Sequence, residues 1–489
     1  MPPQTASLLQ GFLIVFAVVF VAGITIATAF RILEVKKDPT DALTWIFAAF
    51  MFPLLGSVAF FVMGDPIVRK TMRRLRQDHI RRRDLPNPKV EEYDGFFEFP
   101  QLLTRLGAFP STFGNDIHVF SECIDTYRAM LRDLRKAEQE ICFEFYTVRD
   151  DATGMVFLRE LVRKAREGVR VYFLYDAMGS GSLKKRTLER LEREGIVVVP
   201  FMELNLFRKR IQINFRNHRK LLIIDRKVAY TGGTNIGDEH LGKNREVVDQ
   251  DYWFDCQIRI EGPAVMQLLE EFAADWDFAT DSGTKTEAII RDANYPGRIF
   301  EGNDPKDTGW LQVIHSGPDQ VINHTRYALF YAVTHARKRL WISTPYFAPD
   351  QALLAALVTS AMSGVDVRIL TTNDKPDIML SYWAGRYFWE PVLKAGGRIF
   401  QFQPGMLHAK LLLADEDLAT VGSANLDIRS LGLNFELTTC FYSRRDIAEV
   451  EAIFERRIGE SIEVGEEYLN RPWRTRLKEN LARMFAPML

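Results

Sequence analysis

The sequence predicts a duplicated α/β protein, with two α/β domains of mixed sheets flanked by helices, related by a pseudo-twofold axis and preceded by two transmembrane helices. Three observations carry that prediction. Two uncharged apolar runs open the chain, at residues 8–30 and 42–63. After them, apolar runs of strand length alternate with amphipathic helical stretches. A set of polar residues at fixed intervals then occurs twice, 190 positions apart.

Each apolar run exceeds the ~20 residues a helix needs to cross a bilayer. Residues 1–7 carry no basic side chain, unlike the start of a signal peptide, although Ala27-Thr28-Ala29 leaves a cleavage site open. Pro53 is acceptable inside the second run if neighbouring groups satisfy the freed carbonyl. Next come Arg69, Lys70, Arg73, Arg74, Arg76, Arg81, Arg82 and Arg83, against the single acid Asp78. The positive-inside rule therefore places everything after residue 64, and the N-terminus as well, in the cytoplasm. The basic run reads either as a topology signal alone or as a segment lying on anionic headgroups.

The totals narrow the function. A chain of 489 residues holds two or three folding units. A formal net charge of -1 lacks the basic excess of a nucleic-acid binder, so no nucleic-acid partner is expected. Cys123, Cys142, Cys256 and Cys440 lie too far apart for a zinc site or a disulfide framework.

Residues 65–115 form the basic segment and a connector rich in proline (Pro86, Pro88, Pro100, Pro110). The first α/β domain spans 116–280. Within it, helical spacing at 127–138, 155–167 and 188–194 alternates with strands at 141–146, 169–175, 196–201 and 220–224. A polar linker, 281–309, follows. The second domain, 310–489, repeats the order, with strands at 340–346, 364–370 and 396–402 around a helix at 353–363. So long a period implies a duplicated domain rather than a solenoid.

The repeat itself lies at residues 217–246 and 407–436. His218, Lys220, Asp225, Asn235, Asn244 and Glu246 are matched by His408, Lys410, Asp415, Asn425, Asn434 and Glu436, and Gly232 by Gly422. Residues i and i+2 of a strand share a face, so each His projects with its Lys, while Arg219 and Ala409 face the other way. Two imidazoles, two lysines and two asparagines suit the gripping of a phosphate. One imidazole attacks phosphorus and the other handles the proton of the departing and incoming oxygens. Lys220, Lys410, Asn235 and Asn425 donate to the non-bridging oxygens. Glu246 and Glu436 are candidates to orient the imidazoles, Glu246 for His218. Asp225 and Asp415 belong to the motif but, at the ends of apolar strands, read as turn or ion-pair residues. No metal-ligand spacing or phosphate-cradling glycine loop is present, and His315, His324 and His335 read as ordinary histidines. The chemistry calls for no metal and no cofactor.

HxKxxxxD followed ten residues later by Asn, present twice, resembles the signature of the phospholipase D superfamily. The apolar phrase at residues 45–56 and Thr344-Pro-Tyr-Phe347 bring the resemblance closer to bacterial cardiolipin synthases. The resemblance implies two phospholipase D-like domains and transfer of a phosphatidyl group between two phosphatidylglycerol molecules, giving cardiolipin and glycerol. It also implies a phosphatidyl-histidine on His218, His408 as general acid and base, and a place in the bacterial cell membrane. The two histidine roles are exchangeable on sequence alone. Rival readings are another membrane phosphatidyltransferase or phospholipase D with a different acceptor, a nuclease using the same two histidines, and a non-catalytic lipid-binding scaffold.

Overall fold

The computed structural model describes residues 3–35, 39–61, 98–202, 215–242, 252–280, 309–320 and 322–486. The N-terminal helices form one compact unit and the described residues from 98 onward belong to another. In the first unit, helix α1 (Pro3–Val35) contains a 25-residue apolar segment, Gly11–Val35, long and apolar enough to cross a membrane. The second apolar run differs from the sequence expectation of one long helix. It forms α2 (Pro39–Met51) and α3 (Pro53–Ala59), broken at Phe52. The residue before a proline is driven out of the α region, and Phe52 sits at φ -130, ψ 71. Gly56 lets α3 close on α2, since a Cβ there would overlap the Ala48 carbonyl. The basic run and most of the 281–309 linker lie outside the described residues.

The second unit begins with α4 (Glu98–Leu106) and β1 (Asp116–Phe120). The chain then runs α5 (Cys123–Lys136), β2 (Glu140–Phe145), α6 (Ala152–Arg166), β3 (Arg170–Asp176), α7 (Lys185–Arg193) and β4 (Val197–Phe201). The motif strand β5 (Lys220–Ile224) follows, with β6 (Val228–Gly232), β7 (Trp253–Phe254), β8 (Gln257–Glu261) and α8 (Ala264–Thr280). The second half supplies β9 (Leu311–Ser316), α9 (His324–His335), β10 (Arg339–Ser343), α10 (Gln351–Met362), β11 (Asp366–Thr372), α11 (Met379–Arg386), α12 (Trp389–Lys394) and β12 (Arg398–Phe402). Its motif strand is β14 (Lys410–Ala414), between β13 (Met406–Leu407) and β15 (Leu418–Gly422). The half closes with β16 (Glu436–Phe441), α13 (Arg444–Gly459), β17 (Ser461–Glu463) and α14 (Trp473–Arg483).

The strands assemble into two sheets of one plan. The first has the order β1-β8-β6-β5-β2-β3-β4 and the second β17-β12-β11-β10-β14-β15-β16-β9. In each, three parallel strands (β2, β3, β4; β10, β11, β12) join an antiparallel block through the motif strand. Both motif strands are buried along their whole length and apolar after the leading lysine, as strands covered on both faces must be. Local signals repeat too. Asp151 caps α6 through Gly154 N and Asp350 caps α10 through Leu353 N, at 2.8 and 2.9 Å. Just past the ends of these helices, Gly168 and Gly364 both take φ +91, which side chains rarely tolerate.

The halves meet through reciprocal backbone pairing. His218 N donates to Phe435 O at 2.9 Å, and His408 N donates to Phe254 O at 2.8 Å. Around these bonds β13 pairs with β7, and Asn217 bridges to Phe435. The segment entering each motif strand is thus stitched to the other half, as a twofold arrangement requires.

Asp225 and Asp415 behave as turn residues. Each takes a left-handed conformation, φ 51 and 53. Asp225 accepts backbone N–H bonds from Glu138, Gln139 and Glu140, and Asp415 from Arg337, Lys338 and Arg339, all at 2.8–3.0 Å. They lock the start of β2 and β10 against the end of the motif strands, seven residues beyond the histidines. Asp415→Ala is expected to cost about 2–4 kcal/mol of stability, because three N–H donors lose a charged acceptor. Activity per folded molecule should survive. Denaturant titration with an activity assay checks this, and lost activity at unchanged stability would give Asp415 a chemical role.

Candidate active site

The reciprocal stitching delivers four motif side chains into one buried place. His218, Lys220, His408 and Lys410 are all buried, as are Asn235 and Asn425. The lysines lie within each other's field, and so do the two imidazoles. The expected convergence of the two motifs is therefore present.

Each imidazole is held through Nδ1 by a carboxylate of the opposite half. His218 Nδ1 lies 3.0 Å from Glu436 Oε2 and 3.0 Å from the Ser423 carbonyl. His408 Nδ1 lies 2.5 Å from Asp255 Oδ2. Glu436, a candidate to orient an imidazole, serves the first-half histidine, and the carboxylate on His408 is Asp255, which the sequence reading did not name. Asn244 and Glu246 lie outside the described residues. Among the described residues neither Nε2 has a hydrogen-bond partner, so both second nitrogens remain available for chemistry.

The two carboxylates are seated differently. Glu436 also accepts from Ser423 Oγ at 2.5 Å and from Asn434 Nδ2 at 3.3 Å. Asp255 accepts from its own neighbour, Cys256 N, at 2.8 Å, and occupies the space a side chain at Gly233 would need. Gly232, at φ +151, packs against the Cys256 carbonyl in the same turn. Hence the first half has Gly-Gly where the second has Gly-Ser. Behind His218, the buried Arg219 binds Glu271 at 2.7 Å and also pairs with Asp275 on α8, while its Nε reaches the Glu436 carbonyl at 3.3 Å. Ala409, its counterpart, makes no such link.

Burial governs the charges. It pushes both imidazoles below their ordinary range, against the pull of Glu436 on His218 and with the help of Lys410, His240 and Lys220 on His408. Burial also lowers Lys220 to about 7, against the attraction of Glu436, and lowers Lys410 against that of Asp255. It raises Asp255, which Lys410 and His240 oppose. For Glu436 burial works upward too, but His218, Lys220 and Ser423 hold its carboxyl below the usual value. The site is thus a crowded pocket of paired charges in which Lys220 donates to His218 O at 2.6 Å, and Lys410 donates to His408 O and lies 2.9 Å from His408 Nδ1. An arriving phosphate offers these cations a better partner.

The asparagines line the same turn regions. Asn235 Oδ1 accepts from Thr147 N at 3.2 Å, and Asn425 donates to the buried Asp427, leaving its own Oδ1 without a partner. Two residues escaped the sequence reading. Asp255 did so because a constant offset pairs Asn244-Arg245-Glu246 with Asn434-Phe435-Glu436. The better signal was the pair Phe254-Asp255 matching Phe435-Glu436 at the head of an apolar strand, at a shorter spacing. His240 had no signal, since its counterpart is Ser430. Its ring lies 5.8 Å from that of His408, its Nε2 is buried without a partner, and burial lowers it to about 4. As expected, His324 is satisfied, bonding the His315 and Leu106 carbonyls at 3.0 and 2.8 Å.

The family described as "Cardiolipin synthase, PLD-like domain" matches residues 130–276 and 329–458, one segment in each half. Cardiolipin synthase 2 of Bacillus cereus is 34% identical over 468 residues, covering 93% of this chain and 88% of that protein. The major cardiolipin synthase ClsA of Bacillus subtilis is 31% identical, covering 97% and 99%. Among solved structures, the phosphatidylserine synthase of Haemophilus influenzae shares the fold, with a TM-score of 0.59 at 16% identity, covering 80% of this chain and 97% of that one.

The crossed carboxylates yield a direct expectation. Glu436→Gln keeps the shape but abolishes the preference for a proton on His218 Nδ1, and Asp255→Asn does the same to His408. Each is expected to lower kcat roughly 10²–10⁴-fold with the fold retained. Steady-state rates with circular dichroism check this, and a loss of less than about threefold would separate the carboxylates from the chemistry.

Proposed function

The chain belongs to the cardiolipin synthase family of phospholipase D-like proteins, and we propose on that premise that it joins two phosphatidylglycerol molecules into cardiolipin with release of glycerol. The observation that carries the reading is the pair of buried imidazoles, each fixed through Nδ1 by a carboxylate from the other half. Fixing Nδ1 leaves the Nε2 lone pair for attack or proton transfer.

In the first step His218 Nε2 attacks the donor phosphorus, and the bond to the leaving glycerol oxygen breaks as His408 gives that oxygen a proton. Phosphatidyl-His218 results. In the second step the terminal hydroxyl of another phosphatidylglycerol gives its proton to His408 and attacks phosphorus, and His218 departs. Lys220 and Lys410, with Asn235 and Asn425, donate to the non-bridging oxygens as charge builds there. His408 must start protonated although burial and its cationic neighbours disfavour this. The phosphate monoanion supplies the missing counter-charge, so substrate arrival arms the acid.

For the N-terminal unit we propose that α1 and the α2–α3 pair both lie in the bilayer, with the basic residues 69–83 and the catalytic halves on the cytoplasmic side. The length and exposed apolar surface of α1 and the excess of basic residues after the second run support this.

Purified protein given labelled phosphatidylglycerol is expected to release glycerol and cardiolipin in equal amounts, and His218→Ala is expected to abolish both. Phosphatidic acid as the main product would move the acceptor to water and contradict the proposal. The charges set the pH dependence as well. His218, needed neutral and lowered by burial, should make kcat/KM fall as pH drops below the ordinary imidazole range, and His408, needed protonated and lowered as well, should make it fall as pH rises. Lys220, lowered to about 7, sheds its charge as pH rises through that value and adds to the alkaline limb. A profile flat from about pH 5 to 9 would contradict these assignments.

A further inference from the structure

Helix α14 is built inside out. Its inward row holds Glu479 and Ala482, both buried, with Ala486 just beyond the helix. Glu479 is tied by Arg386 at 2.9 Å and by Arg471 at 2.7 Å. The row facing solvent holds the large apolar side chains. Trp473, Leu477 and Leu481 recur every four residues on one face, and Met484 and Phe485 extend the row. Trp473 is 68% exposed and Met484 72%. In an ordinary surface helix this stripe would face the core.

Two further features point to what covers it. Arg474, Arg476, Lys478 and Arg483 flank the stripe, and the only acid of the helix is the buried Glu479. Lys478 Nζ rests 3.6 Å over the Trp383 ring and Arg483 4.1 Å over that of Tyr387, giving cations set on amphipathic rings. The start of α11, which packs on α14, adds exposed Ile378, Met379 and Leu380. These follow directly on Asp377, which accepts from Tyr346 Oη at 2.5 Å and acts electrostatically on Lys410. The exposed turn therefore starts next to a residue whose charge reaches the active site. A second copy of the chain is a poor occupant, because a twofold contact would set these cations against their own images.

We propose that α14 and the first turn of α11 form a docking surface for an anionic phospholipid bilayer, with the apolar row in the acyl boundary and the flanking cations on lipid phosphates. The surface seats the catalytic body on the membrane beside the entrance its lipid substrates use. The proposal rests on the reading of those substrates as membrane phospholipids and is independent of the acceptor.

Two arms test it on the full chain. In the first, Leu477→Glu/Leu481→Glu, both exposed positions, is assayed on phosphatidylglycerol vesicles and on dihexanoyl-phosphatidylglycerol below its micelle threshold. The interfacial KM should rise roughly tenfold or more while turnover of the dispersed short-chain lipid stays within about twofold. Equal losses on both substrates would overturn the proposal. In the second, Leu477→Cys carrying an environment-sensitive fluorophore is placed in nanodiscs. Phosphatidylglycerol discs should shift its emission to the blue and allow quenching by doxyl lipids, more weakly at high salt. A water-like emission in those discs, or crosslinked dimers formed by the unlabelled Leu477→Cys protein, would overturn it. Since the fluorophore arm needs no turnover, it still decides docking if the synthase reading fails.

Discussion

Each imidazole at the centre of this protein is oriented by a carboxylate that belongs to the other half of the chain, Glu436 for His218 and Asp255 for His408. Much of the architecture follows from that crossing. A carboxylate can reach across only if the segments before the two motif strands lie side by side, which the His218–Phe435 and His408–Phe254 backbone bonds secure. The glycine pair at 232–233 makes room for Asp255, and Ser423 anchors Glu436. Neither half holds a complete site, so the duplication works only as a pair.

The same crossing makes the buried charge tolerable. Ions taken out of water are costly unless paired and hydrogen-bonded. Here the carboxylates are held by imidazole, hydroxyl or backbone N–H groups, and the lysines by carbonyls. Burial depresses the lysines and imidazoles together, and a phosphodiester relieves both. A site dry enough to strengthen electrostatics is suited to a charged transition state. The halves are not equivalent, however. Arg219 ties the Glu436 carbonyl to α8 and gives the His218 side a scaffold that Ala409 cannot give the His408 side.

Much of this was legible in the sequence. The alternation of strands and helices and the two sets of His, Lys and Asn are local signals, and local signals survive in sequence. The turn role of Asp225 and Asp415 was legible too, because an acid at the end of an apolar strand has little chemistry to reach. What failed was long-range. Asp255 escaped because the spacing between the asparagine and the carboxylate differs between the halves, so a constant offset selected Glu246 instead. That each carboxylate serves the other half's histidine has no local signature. His240 enters the site from a short 3-10 turn whose counterpart carries serine. The second apolar run was long enough by composition, but Pro53 divides it, and a count of apolar residues does not register a broken helix.

The central claim is that two crossed pairs make a single phosphate site with one imidazole as nucleophile. Its most direct test is to react the His408→Ala protein with a p-nitrophenyl phosphatidyl ester, whose leaving group needs no acid, to quench in alkaline denaturant, which spares a phosphohistidine bond, and to map the modified peptide by mass spectrometry. The account predicts a phosphatidyl group on the imidazole of His218, accumulating because its resolution lacks the general base. Modification of a residue outside the two motif histidines, or turnover at the unmodified rate with no adduct, would contradict it.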